Sequence, residues 1–278
     1  MTRQAYAKII FKNRLGYKPN LKDPQTYCEK INWLKLNYFP HDKLAIQCTD
    51  KYLVRKYIED NGMGEYLNEL YGQWDDARKI DFDALPDKFV LKVTHGCDTN
   101  IICDDKSKLD IKKTVKQLNK WLKEDYGVYV AEPHYSKLKG KGSVVAEKFL
   151  EGDFFDHKFF CYHGEPEYMA AVYIDSTKQN PNASIYYDKS GELSKFIKAG
   201  RDALAGYTLT PDFEKMKDLS AKLAKPFPFV RVDWMCVNGK IYFSEMTFTP
   251  VAGLSKFDPP EYDRILGGLL DINKCKVK

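Results

Sequence analysis

The stretch Phe227-Pro-Phe-Val-Arg-Val-Asp-Trp-Met-Cys-Val-Asn-Gly-Lys-Ile-Tyr-Phe-Ser-Glu-Met-Thr-Phe-Thr-Pro250 decides how this chain is read. Apolar runs flank Asn238-Gly239, a strong hairpin signal, so two antiparallel strands are expected. Arg231, Asp233 and Glu245 lie inside those strands, where ionised groups are costly unless paired or metal-bound. Strand side chains alternate between faces, so the loop length decides which of them meet. A two-residue loop pairs Val237 with Lys240 and sends Asp233 and Glu245 to opposite faces. A three-residue loop ending in left-handed Gly239 pairs Cys236 with Lys240 instead. That register gathers Arg231, Asp233, Glu245 and Thr247 on one face, with Arg231 opposite Glu245, and leaves Val230, Val232, Trp234, Tyr242 and Met246 for the other. The three-residue loop is the expectation.

Two close carboxylates beside one arginine fit two readings. One is a structural cluster, since ion-pair networks also occur in sheets. The other is a divalent-cation site. Hard oxygens suit Mg²⁺, which commonly takes one or two protein carboxylates and completes its shell with phosphate oxygens and water. The hairpin alone supports both equally.

The 278 residues are 44% hydrophobic, enough for one large core or two to three lobes. No apolar run approaches the roughly 20 residues of a membrane span. Met1-Thr-Arg-Gln-Ala-Tyr6 lacks the apolar region of a signal peptide, so a cytoplasmic protein with no transmembrane segment is expected. The seven cysteines include no C-x-x-C pair and read as reduced thiols. The 44 basic and 39 acidic residues are spread along the chain, net +5, which argues against a nucleic-acid partner. Nothing in the sequence specifies an oligomeric state.

Apolar spacing predicts helices over Ala5–Leu15, Pro24–Asn37 and Asp50–Asp60, with Asp23 and Thr49 or Asp50 as caps. Phe89-Val-Leu-Lys-Val-Thr94 reads as a strand with Ile101-Ile-Cys103 as its hairpin partner. An amphipathic helix follows over 107–126, capped by Ser107, and then a basic glycine-containing loop, Lys137–Gly142. Val144–Leu150 is a further strand, Phe155–Tyr162 and Tyr168–Ile174 pair around His163-Gly164, and 211–224 is helical. Short, hairpin-linked strands interleaved with helices give an α+β class rather than a doubly wound parallel sheet.

Lys92 sits mid-strand, before the small polar loop Thr94-His-Gly-Cys-Asp-Thr-Asn100, whose backbone N–H groups suit phosphate oxygens. A strand lysine also reads as an edge residue keeping its ammonium in water, and Lys51 fits the same two readings. His95 is either a phosphate or substrate contact or a plain loop histidine. Cys97 has no base to activate its thiol.

In order, Asp50-Lys51, Lys92 with its loop, Glu147-Lys-Phe-Leu150, Asp233 and Glu245 resemble the ATP-grasp superfamily, the fold of D-alanine:D-alanine ligase. The resemblance is strongest to its TupA-like branch, associated with teichuronopeptide and other cell-surface polysaccharide synthesis. It covers nearly the whole chain, including Pro24-Gln-Thr-Tyr-Cys-Glu-Lys-Ile-Asn-Trp-Leu-Lys-Leu36, Phe82-Asp-Ala-Leu-Pro-Asp-Lys-Phe-Val-Leu-Lys92, Asp156-His-Lys-Phe-Phe160 and Thr247-Phe-Thr-Pro250.

The resemblance implies an α+β ATP-grasp fold: an N-terminal helical segment (1–45), then a first lobe (46–150) and a second lobe (151–278) clasping ATP. It implies that Lys51 and Lys92 contact the phosphates, with the loop of His95, Gly96 and Asn100 over them. Glu147 would meet the adenine amino group, backbone groups of Lys148 and Leu150 the ring edge, and Asp153 or Asp156 the ribose. Lys158 would lie near the γ-phosphate and substrate, Arg231 would steady an acyl-phosphate, and Asp233 and Glu245 would hold Mg²⁺. Thr247 stands where many ATP-grasp enzymes have Asn, which implies a weaker second metal position. The segment after Tyr168 lacks the strand arginine of some related ligases.

The activity implied is an ATP-dependent carboxylate–amine ligase. It would join an amine or amino acid to a uronic-acid carboxylate of a surface saccharide or its precursor. Lys195, Lys198 and Arg201, near Tyr186 and Tyr187, read either as contacts for that acidic sugar or as solvated surface. A glycosyltransferase of the same pathway and a non-catalytic nucleotide-binding protein are the competing readings. No general-base histidine or nucleophilic Ser/Cys arrangement stands out.

Overall fold

The chain opens with helices α1 (Arg3–Leu15), α2 (Tyr27–Asn37), α3 (Lys43–Thr49) and α4 (Leu53–Asp60). Side chains satisfy their free amides: Thr26 and Glu29 form a reciprocal capping box at α2, and Asp42 caps α3. The Asp50 carboxylate accepts from the amides of Tyr52 and Leu53 ahead of α4. The expected cap Asp50 thus serves the turn ahead of α4, whose own N-cap is Tyr52, and Thr26, not Asp23, caps α2. This is a computed structural model, and it describes residues 1–152, 154–174, 184–195, 197–198 and 206–276.

Next come β1 (Leu70–Trp74), β2 (Phe89–Val93), β3 (Asn100–Cys103), α5 (Ile111–Leu122), α6 (Tyr126–Tyr129), α7 (Pro133–Ser136) and β4 (Val144–Lys148). The four strands form an antiparallel sheet ordered β1-β4-β2-β3. β1 escaped the sequence reading because Leu70-Tyr-Gly-Gln-Trp74 is short and broken by Gly72. α5 covers this sheet through Leu118, Val115 and Trp121, and its cap is Asp110 rather than Ser107.

The rest comprises β5 (Phe154–Tyr162), β6 (Glu165–Ile174), β7 (Ser184–Asp188), β8 (Ile197–Lys198), α8 (Phe213–Ala224), β9 (Phe229–Val237), β10 (Lys240–Thr247), β11 (Phe257–Asp258) and α9 (Tyr262–Gly268). A second antiparallel sheet runs β10-β9-β5-β6-β7. Its buried side, with Val232, Trp234 and Phe159, packs against α8, and the Trp234 indole donates to Ser220 at 2.8 Å. The same core takes Tyr27, Ile31 and Leu34 from α2 and Val54, Tyr57 and Ile58 from α4. The smaller core takes Ala77, Ile80 and Phe82 ahead of β2, with Tyr71 and Trp74 of β1 packed against it. No helix among the described residues is long and apolar enough to cross a membrane, and all seven cysteines are free.

The β9–β10 hairpin departs from the expected register. Its loop is two residues long: Val237 pairs with Lys240, and Asn238 and Gly239 are both left-handed, at φ 51° and 74°. A bulge then re-aims the strand, because Phe243 pairs with Trp234 but Glu245 with Asp233, leaving Ser244 as the extra residue. Glu245 therefore stands opposite Asp233, and Thr247, not Glu245, opposite Arg231. Tyr242 falls opposite Met235 on the charged side, and Phe243 takes the core position expected for it.

Candidate active site

Across β5, β9 and β10, Lys158, Asp233 and Glu245 are successive cross-strand partners, with Phe160, Arg231 and Thr247 in the next row. Asp233 is completely buried. Arg231 clamps it with two donors, Nε to Oδ1 at 2.7 Å and Nη2 to Oδ2 at 2.6 Å, and the Lys158 ammonium donates to Oδ2 at 2.7 Å. Arg231 Nη2 also reaches Glu245 Oε1 and the Thr247 hydroxyl, each at 3.0 Å, while that hydroxyl donates to Glu245 at 3.1 Å. Lys158 bonds Asp156 as well.

Burial pushes Glu245 toward its neutral form, but Arg231, Lys51 and Lys158 outweigh it and hold the carboxyl down at about 2. For Asp156 burial wins over Lys158 and the pKa rises to about 6. Burial also opposes the charge on Lys158, yet Asp156 and Asp233 keep its pKa raised.

A cleft of about 550 Å³, open solvent included, is lined by Lys51, Arg55, Asn68, Lys92, Glu147 and Glu245. Lys51 is anchored at three points. Its amide donates to Thr94 O at 2.9 Å, its ammonium to Gly96 O, and the preceding Asp50 accepts from the Thr94 hydroxyl at 2.6 Å. The loop after Lys92 is thereby tied to the start of α4, which brings both lysines to one cleft. Lys92 donates to Glu147 at 2.7 Å, and Arg55 stands 3.6 Å from the same carboxylate.

The remaining predicted residues divide. His95 is 1% exposed, with Nε2 at 3.3 Å from Glu124 O and its ring against Gly142, where an added Cβ would fall 1.8 Å from Nδ1. Burial lowers its pKa, so it is packed as a neutral loop histidine and turned from the cleft. Asn100 is exposed opposite Lys92. Both backbone groups of Lys148 have partners, the amide on Glu69 O at 3.0 Å and the carbonyl on Asn68 Nδ2 at 2.8 Å. Leu150 follows β4 at intermediate exposure. Asp153 and Arg201 lie outside the described residues, as does the Lys198 side chain, and Lys195 is exposed.

Asp233, Glu245 and the Thr247 hydroxyl are a hard-oxygen set of the kind Mg²⁺ accepts when phosphate and water complete the shell. No group of three or more His, Cys, Asp or Glu among the described residues is arranged to hold a metal alone. The donors fit a metal that arrives with a phosphate.

The TupA-like ATPgrasp family profile matches residues 29–271. The chain belongs to this family. Its fold is ATP-grasp, as in the L-amino acid ligase of Bacillus licheniformis, with 14% identity and a TM-score of 0.52 over 82% of this chain and 51% of that one. The D-alanine–D-alanine ligase of Bacillus anthracis aligns with 15% identity and a TM-score of 0.50 over 86% of this chain and 72% of that one. The chain thus spans about half the length of the amino acid ligase. No curated protein matches it.

Within this TupA-like chain Arg55 and Asn68 also line the cleft, and neither was among the residues expected there. Arg55 had a signal, four residues beyond Lys51 and so on the same side of a helical turn. Asn68 lies in irregular chain before β1 and had none.

Proposed function

We propose that this chain is an ATP-dependent carboxylate–amine ligase. It joins an amine or amino acid to the carboxylate of an acidic sugar in a surface polysaccharide or its precursor. One observation carries the reading: the ion-paired row has an end in each of two cavities. Glu245 lines the lysine-bearing cleft, while Lys158 and Arg231 line a second, aromatic cavity. A nucleotide in the first and a carboxylate in the second would meet across that row. The sugar part of the reading rests on the family resemblance. The domain division at residues 45 and 150 is likewise part of the proposal.

In this reading Lys51 and Lys92 neutralise the phosphates as point cations, and Glu147, released from Lys92, faces the adenine amino group. Asp233 and Glu245, with Thr247, hold Mg²⁺, which when bound supplies positive charge to the transferring phosphoryl group. Arg231 and Lys158 orient the substrate carboxylate, whose oxygen attacks the γ-phosphorus as the bond to the ADP oxygen breaks. An amine then attacks the acyl-phosphate carbon, phosphate leaves with the former carboxylate oxygen, and the amine proton passes to solvent. The products are an amide, ADP and phosphate. In the same reading Arg231 also stabilises charge on the tetrahedral oxygen.

The test is incubation of the purified chain with Mg-ATP, D-glucuronate and a panel of amines, following ADP and the mass of the amide. ADP release that needs both partners supports the proposal. ADP at background level with every pairing would sink it.

A further inference from the structure

The 44 basic and 39 acidic residues are spread along the chain, but their imbalance is not. Residues 111–142 hold eight lysines, no arginine and three acids, an excess equal to the net +5 of the whole chain, so the rest is balanced. Five of these lysines belong to α5 and its C-cap: Lys112, Lys113, Lys116, Lys120 and Lys123. At about 100° per residue they share about 100° of the helix circumference, in a row about 16 Å long. Leu118, Val115 and Trp121, on the other side, hold α5 to its sheet. The remaining three, Lys137, Lys139 and Lys141, stand in the glycine-containing loop after α7.

All eight are exposed, and none forms an ion pair among the described residues. By contrast, Lys56, Lys79, Lys88 and Lys108 hold Asp60, Asp75, Glu151 and Asp105. Two of the three acids in the segment turn inward: Glu132 is 4% exposed and accepts from the Thr249 hydroxyl, and Asp125 accepts from Ser136 at 2.6 Å. Lys112, Lys116 and Lys120 follow one another four residues apart, a spacing at which like charges repel. An anion laid on this face relieves that repulsion.

The helix row and the loop are neighbours. One groove is lined by Asn119, Leu122 and Lys123 of α5, by Gly140 and Gly142 of the loop, and by Asp75 and Asp76. Those two carboxylates are already taken, Asp75 by Lys79 and Asp76 by Arg78 and Asn119. The positive charge thus lies on the rims and the acids within the groove. A thread-like polyanion following the groove meets Asp75 and Asp76, whereas a flat anionic surface resting on the rims clears them. The segment also has no arginine, the side chain suited to paired contacts with individual phosphates.

We infer that the lysine face of α5 and the loop 137–141 dock this chain on an anionic membrane surface. A cluster of four to eight lysines on an amphipathic helix is the pattern that anionic headgroups attract, each lysine near the surface contributing about fivefold to binding. The apolar side of α5 is spent on the sheet, so the attachment is electrostatic, without insertion. Docking of this kind does not depend on ligase activity.

The test is co-sedimentation of the full chain with vesicles of phosphatidylcholine alone or with about one-third phosphatidylglycerol. Binding is expected only to the anionic vesicles, and it is expected to vanish at about 1 M salt, where the Debye length falls to about 3 Å. Replacing four lysines together, Lys112→Gln, Lys116→Gln, Lys120→Gln and Lys123→Gln, keeps helix propensity. That variant is expected to weaken vesicle binding at least about hundredfold, with its melting temperature and the Mg-ATP shift unchanged. A control with Lys56→Gln, Lys189→Gln, Lys222→Gln and Lys240→Gln removes the same charge from other surfaces and is expected to weaken binding less than about threefold. Equal losses in the two variants, or retained binding in the first, would overturn the inference, as would equal binding to both kinds of vesicle. Tighter binding of soluble polygalacturonate than of anionic vesicles, lost with the same four lysines, assigns the face to a soluble polyanion and also overturns it.

Discussion

Lys158 donates to Asp156 and to Asp233, so one ammonium offsets part of two buried carboxylates. Removing it leaves Asp156 without its ammonium partner and Asp233 on Arg231 alone, and breaking a buried pair from one side typically costs about 3–5 kcal/mol. The loss depends on pH. The folded-state pKa of Asp156 is already raised to about 6, and without Lys158 it rises further. A raised carboxyl contributes its full stability below its unfolded value of about 3.8 and loses it as pH climbs through the folded value. Lys158→Met is therefore expected to destabilise by about 3 kcal/mol near pH 8 and clearly less near pH 5 in urea unfolding. Adding Asp156→Asn should recover part of the pH 8 loss without restoring ADP release. Equal losses at both pH values would reject this account. At this scale the sequence is informative about charge: Arg231, Asp233 and Glu245 stand out because ionised residues rarely sit in strands without partners, Lys158 enters through the family resemblance, and the structure brings the four together. His95 misled because a loop position says nothing about which way a ring turns, and Gly142, which makes room for it, is 47 residues away in sequence.

The hairpin shows how an element can reach the expected face by another route. Two left-handed residues make the turn and the Ser244 bulge supplies the one-residue shift. The charge pattern was legible because it required Asp233 and Glu245 to share a face. The device was not, since a longer loop and a bulge produce the same alternation beyond Ser244. Deleting Ser244 removes the bulge but keeps every pairing, because Phe243 already meets Trp234 and Glu245 already meets Asp233; the ladder becomes regular, and Glu245 and Thr247 stay on the charged face. The deletion is therefore expected to keep the melting temperature within a few degrees of the parent and to retain measurable ADP release. Loss of ADP release with the melting temperature kept would give the bulge a role beyond register, in the local twist that aims Glu245 at the cleft.

On the scale of the whole molecule, two cores meet at one cleft, and the helices before β1 belong to the larger of them. Their apolar faces are plain in the sequence, but an amphipathic helix does not say which sheet it covers, so periodicity alone does not show that they join the larger core. The consequence is that Lys51, carried at the start of α4 on the larger core, and Lys92, in the sheet of the smaller one, line the same cleft as Glu245. A nucleotide drawing on all three ties the sheets together, and binding stabilises the native state by mass action. At a free concentration about a hundred times Kd the gain is about 2.7 kcal/mol, which for a chain of this size raises Tm by roughly 5–10 °C. Mg-ATP is expected to produce that shift, ATP without Mg²⁺ a smaller one, and UDP-glucose, a sugar nucleotide without a carboxylate, none. Lys51→Ala and Lys92→Ala should each weaken Mg-ATP at least about tenfold, removing about half of the shift at the same concentration. Because the two lysines sit on different cores, losses that add in the double variant mean that both contact the nucleotide independently. A UDP-glucose shift as large as that of Mg-ATP, or an unaltered Mg-ATP shift in both single variants, would place the nucleotide elsewhere and return the strand lysines to the role of structural ion-pair partners.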